Sequence, residues 1–186
     1  MKIRKTLKLV VNIISWMWFL VHGAFSAHAF AFSQKTEDRV YVINSPLTYK
    51  LLNPISGGSL GFTLPFVGVA YVNGAAVKEA DTSMAGVIEH EAKHIEQFWE
   101  LGVQHFQIDE WKLEGVAEYA RGGSTISLCA SGLDESKARQ RYRDYHVVVK
   151  YLIEADGLDE NEIYRYQEYP LREATDWINT EICGKA

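Results

Sequence analysis

The chain has 186 residues, 47% of them apolar and 23% charged, which suits one domain with a sizeable core and excludes a disordered or low-complexity protein. Its formal net charge is −5, and no basic stripe with interleaved aromatics offsets it, so nucleic-acid binding is disfavoured. In chain order, the first eight residues carry Lys2, Arg4, Lys5 and Lys8 and no acid. LVVNIISWMWFLVHGAF follows, nearly free of charge, and then SAHAFA. A basic start, an apolar run and a small-x-small ending lay out a secretory signal peptide over residues 1–29, with cleavage after Ala29 in Ala27-His28-Ala29. The competing expectation is an uncleaved anchor, because the apolar run approaches membrane-spanning length.

Cleavage leaves residues 30–186 as a single domain with 15 Lys and Arg against 24 Asp and Glu, and moves the formal charge to −9. That domain is expected to be exported, periplasmic or secreted, with no membrane contact; without cleavage it is membrane-anchored. Cys129 and Cys183 are the two cysteines. An even count in an oxidising compartment favours a disulfide between them, tying the C-terminal segment to the loop after the second long helix. Two buried thiols are the alternative.

Residues 30–38 read as a polar leader. Residues 39–77 have β texture: RVYVI, TYKLL, LGFTL and VGVAYV are rich in Val, Tyr, Phe and Thr and are separated by Pro-, Gly- and Asn-containing breaks. Four short strands give a small twisted sheet, and Asn73-Gly74 either closes a tight hairpin or ends a strand. Residues 81–186 are helical in pattern. Asp81 or Thr82 can cap a helix through MAGVIEHEAKHIEQFWEL, which Gly102 ends. A second helix, EWKLEGVAEYAR, closes at Gly122-Gly123, and a third covers ESKARQRYRDYHVVVKYLIEAD up to Gly157. Asp159 and Glu162 form a capping box for a short fourth helix, and Pro170 begins LREATDWINTEI. The fold class is α+β.

Within the first helix, VIEHEAKHIEQF sets two histidines and three glutamates into an apolar rhythm. Burying such groups is costly unless something pairs with them. His90 and His94, four apart, lie one turn apart on one face and can hold a single ion between their ring nitrogens. Glu91 is turned about 100° further round the helix, close enough to act as a general base without binding the ion. H-E-x-x-H therefore supplies two ligands and a base.

Catalytic zinc takes three protein ligands. Nineteen residues separate His94 from Glu114, the candidate third ligand, and Gly115 beside it permits close backbone approach. Glu118, one turn later, can accept the free N–H of a ligand histidine. Two acids on one face of an apolar helix call for one Zn2+ ion.

HEAKH followed by EGVAEY resembles the gluzincin clan of zinc metallopeptidases, which includes thermolysin-like and aminopeptidase-like enzymes. The resemblance spans roughly residues 39–157 and implies a zincin-like fold: a small N-terminal sheet packed on the active-site helix, then a helical part. It implies a His90-His94-Glu114 site with Glu118 behind it, and an edge strand, LGFTL or VGVAYV, that holds an extended substrate. The short chain is closest to the minimal one-domain members. YRDYHVVVKYLIEADG is similar to the aminopeptidase segment in which a tyrosine binds the oxyanion, here Tyr142, with Leu152 and Gly157 at the later positions. Asp144-Tyr145-His146 stands where that family has Lys-Gly-Ala. His146 competes for the role, because thermolysin-like members use a histidine there.

The remaining residues have plainer readings: His105 as a surface histidine, Trp99, Trp111 and Tyr119 as packing between helices, and Arg139, Arg141 and Arg143 as a charged helix face. The expected function is an exported zinc metallopeptidase acting on peptides or proteins. The alternatives are a catalytically silent zinc-binding interaction module, or a zinc hydrolase acting on cell-wall peptides.

Overall fold

The computed structural model describes residues 34–37, 39–123, 126–129 and 138–184. The segment expected to be a signal peptide, and the expected start of the third long helix at Glu135, lie outside them. The protein is α+β, with a small sheet followed by a helical part.

Four strands, β1 (Gln34–Glu37), β2 (Val40–Ile43), β3 (Gly61–Leu64) and β4 (Val69–Asn73), form one sheet in the order β1-β2-β4-β3. The β2–β4 pair is parallel and the two outer pairs are antiparallel. The expected polar leader thus supplies an edge strand, while TYKLL, expected as a strand, is helical. It lies in α1 (Pro46–Leu52), where the Ser45 hydroxyl accepts the Thr48 N–H and Pro46 occupies the first turn. That cap chemistry overrides the β texture of the side chains.

Alternation along β2 and β4 sorts their side chains onto two faces. Val40, Val42, Ala70 and Val72 pack with Val77, Val87, Ile88 and Ile95, and Tyr41, Ile43 and Tyr71 pack with Tyr49 of α1. Both faces are covered, which is why every residue of β2 is buried. Asn73-Gly74 ends β4: the Asn73 side chain caps the short helix α2 (Gly74–Glu79).

The long helix α3 (Met84–Leu101) lies across the sheet, capped by Ser83 rather than by Asp81 or Thr82, and it ends at Gly102 with φ +54°. A 3-10 segment, Gly102–Gln107, leads to α4 (Glu110–Ala120), then α5 (Ala138–Glu154), α6 (Glu160–Arg165), α7 (Leu171–Trp177) and a π-helical turn, Ile178–Cys183. The Asp159–Glu162 capping box is present at α6. Val116, Val147, Val148, Leu152, Ile163 and Ile178 form the helical core, each contributing about 1.5–3 kcal/mol by leaving water.

A Cβ on Gly115 would stand 2.7 Å from the Tyr145 carbonyl oxygen. The backbones of α4 and α5 therefore meet where the sequence offers a glycine. Cys129 and Cys183 form a disulfide across 54 residues, worth about 4 kcal/mol on chain-entropy grounds. Among the described residues no helix is long and apolar enough to cross a membrane. Trp99, expected between helices, is largely exposed, and Arg143, expected on a charged surface, is buried and reaches the Leu128 carbonyl.

Candidate metal centre

Helix α3 runs between the sheet and α4, and its polar residues look both ways. His90 and His94 face α4. Their Nε2 atoms lie 3.1 Å apart, and Glu114 Oε2 is 3.3 Å from the first and 3.4 Å from the second. Ligands bound tetrahedrally to an ion at about 2.0–2.1 Å stand about 3.3 Å from one another. The triangle of donor atoms matches that size, and this trio, with His90 buried and His94 and Glu114 half-buried, could hold a metal ion.

The protonation of the rings follows from their other nitrogens. Gln97, fully buried on α3, donates its amide to the Leu113 carbonyl oxygen at 2.9 Å. Its own carbonyl oxygen, 2.9 Å from His94 Nδ1, can only accept. His94 therefore carries its proton on Nδ1 and presents a lone pair at Nε2. On the other ring, Glu118 Oε1 stands 3.2 Å from His90 Nδ1, and a carboxylate there also favours the Nδ1–H tautomer, although the contact falls short of a linear hydrogen bond. Arg121 holds the same Glu118 oxygen at 3.1 Å. With both rings neutral, two imidazole lone pairs and a carboxylate oxygen converge on one point, and a proton or a metal ion relieves their repulsion.

The electrostatics agree. Burial opposes charge on His90, but Glu114 and then Glu118 push its pKa up to about 10. Burial likewise opposes charge on His94, and Glu114 raises it. Glu114 is desolvated, yet its hydrogen bonds to the two histidines hold its carboxyl well below the usual carboxylate range. Carboxylates in excess around two rings make a site for positive charge.

Glu91 turns toward the sheet. Thr63 Oγ1 of β3 donates to its Oε2 at 2.7 Å, and a Cβ on Gly61 would stand 2.3 Å from its Oε1. Between β3 and α4 lies a cleft of about 530 Å³ whose wall includes His90, Glu91, His94, Glu114, Tyr142 and His105. The Tyr142 ring lies 6.5 Å from that of His90. Burial, then Glu114, raises its pKa, so the phenol stays protonated at neutral pH and can donate.

His146 is placed elsewhere. It packs against the Tyr119 ring and beside Gly123, and it does not line the cleft. Its competition with Tyr142 for a place near the ligands fails because one further turn of α5 carries the ring toward the far end of α4. His105, read as a surface histidine, does line the cleft, and burial followed by His94 lowers its pKa.

Sequence reasoning missed Gln97, Thr63 and Gly61. Gln97 left one signal, a polar residue three after His94 on the metal-facing side of α3. Thr63 and Gly61 left none, being 28 and 30 positions from Glu91 in sequence. Searches against protein-family models, curated proteins and solved structures found no match for this chain.

Proposed function

We propose that the protein is an exported zinc metallopeptidase of gluzincin type, with a zincin-like fold and one zinc ion held by His90, His94 and Glu114. The observation that carries the reading is the triangle of Nε2, Nε2 and carboxylate oxygen, with edges of 3.1, 3.3 and 3.4 Å, beside a fourth polar group, Glu91, which faces the same cleft without joining the triangle. Two imidazoles and one carboxylate are the donor set of a hydrolytic zinc site with an open position. A structural zinc site closes that position and has no use for a base.

Zinc, when bound, supplies Lewis-acid polarisation of the substrate carbonyl and acidifies water near neutral pH. Glu91 takes the proton of the attacking water and passes it to the leaving amine. Tyr142 donates to the oxyanion as it develops. Gln97 and Glu118 keep both rings in the tautomer that offers Nε2. An extended peptide fits along the outer edge of β3, which borders the cleft and has no strand beyond it among the described residues. Export is supported by the basic, apolar and Ala-x-Ala layout of residues 1–29 and by the disulfide.

The test is digestion of a mixed peptide library followed by terminal sequencing of the products. The expected result is cleavage that stops with a chelator and returns with zinc. Intact peptides in the presence of stoichiometric zinc would leave a metal-binding module in place of an enzyme.

A further inference from the structure

We infer that Thr63 and Gly61 of the edge strand are positioning residues for Glu91: β3, and not α3 on which Glu91 resides, fixes where its carboxylate points. The consequence for turnover rests on the peptidase reading above; the contact itself does not.

Pairing of β3 with β4 sets Gly61 opposite Val72 and Thr63 opposite Ala70. Val72 and Ala70 point to the face covered by α3, so the same alternation aims positions 61 and 63 at α3. There they meet the two carboxylate oxygens of Glu91 separately. Thr63 has one hydroxyl proton and two acceptors in range, the Glu91 carbonyl at 3.2 Å and Oε2 at 2.7 Å. The shorter, charged acceptor takes it. At position 61 the side chain is missing where Glu91 needs room. A Cβ would lie 2.3 Å from Oε1 and 2.7 Å from both Cδ and Cγ, so any residue but glycine displaces the carboxylate or the strand. Glu91 is 5% exposed and lies flat against this strand.

The clamp is held rigid from behind. Ser59, just before β3, shares a hydrogen bond with the buried Tyr49 hydroxyl at 2.8 Å and accepts one from Asn53 at 3.3 Å. Asn73 binds the Ser59 carbonyl with its side chain and the Leu60 carbonyl with its N–H. Phe62 stacks on Tyr71 on the opposite face. With Thr63 holding Oε2, Oε1 is left as the oxygen that accepts the proton of a water. A base on a long side chain loses efficiency when it can rotate away, and positioning from a neighbouring element removes that freedom.

The experiment uses the full domain and the substitutions Thr63→Val, Thr63→Ser, Gly61→Ala and Glu91→Ala. In metal-free protein, Thr63→Val lowers Tm by about 2–4 °C in the wild-type background and by less than about 1 °C when Glu91 is already alanine. Gly61→Ala shows the same relief in the Glu91→Ala background. Equal losses in both backgrounds overturn the inference whether or not the protein is an enzyme. On cleaved peptide, Thr63→Val lowers kcat about 10–100-fold with zinc content unchanged and KM within about twofold, and Thr63→Ser restores kcat to within about threefold. Unchanged kcat in Thr63→Val overturns it. If the wild type cleaves nothing, the peptidase reading falls and the melting comparison alone decides the role of Thr63.

Discussion

Two histidines of this chain are buried to nearly the same depth, His90 at 8% exposure and His146 at 4%, and their surroundings push them in opposite directions. His90 has Glu114 on one ring nitrogen and Glu118 on the other, and its pKa is pushed up to about 10. Nδ1 of His146 has no hydrogen-bond partner among the described residues, and burial drags its pKa down to about 4, with Glu118 opposing. Depth alone therefore does not separate a candidate metal-site histidine from a packing one. What separates them is negative charge held close by, which favours a positive charge, proton or metal ion, at His90 and none at His146. His146 is a neutral packing residue behind the site, and His90 belongs to the site itself.

Substitution should separate the two regions sharply. His90→Ala is expected to empty the metal site, from one zinc per chain to less than about a tenth, whereas His146→Leu keeps stoichiometric zinc and turnover; elemental analysis reads both. Loss of zinc in the second variant would erase the distinction. Glu91→Gln, beside His90 but outside the donor triangle, should retain zinc and lose about 10²–10⁴-fold in kcat. A variant that binds zinc and still hydrolyses peptides removes the base assignment. Gln97→Met removes the hydrogen bonds to His94 Nδ1 and to the Leu113 carbonyl. It should weaken zinc about 10–100-fold, which competition with a chelator of known affinity measures.

The packed region has its own readout in the pH response of His146. Its folded-state pKa of about 4 lies below the ordinary 6.5, so between those values the unfolded chain takes up a proton that the native ring refuses. Stability therefore falls as pH drops from 6.5 toward 4, by about 3 kcal/mol in total. Melting curves at pH 7 and pH 4 should show a smaller acid loss in His146→Leu than in wild type. An equal loss in both would mean that the ring titrates normally.

Much of the site was legible because its main parts are local. His90, Glu91 and His94 lie within five residues of one helix, Glu114 and Glu118 on one turn of the next, and helical spacing alone predicts who shares a face. The disulfide followed from cysteine parity and the expectation of an oxidising compartment. The helical part was legible down to the Asp159–Glu162 capping box.

What stayed hidden depends on how elements dock. Position 61 reads as an ordinary strand glycine until β3 lies against Glu91, and Thr63 as a β-former until its hydroxyl finds a carboxylate 28 residues away. TYKLL has strand-like side chains, and only the Ser45-Pro46 start decides for a helix. Tyr142 and His146 are one turn apart on α5, and spacing could not say which of them the packing of α5 on α4 would bring to the cleft.

Whether the donor triangle holds zinc is read most directly by zinc K-edge absorption, or anomalous diffraction, on the zinc-loaded domain. One ion per chain is expected, with the Nε2 atoms of His90 and His94 and a carboxylate oxygen of Glu114 at about 2.0–2.2 Å. A zinc ion bound elsewhere, or one coordinated without two imidazoles, would contradict a His90-His94-Glu114 centre.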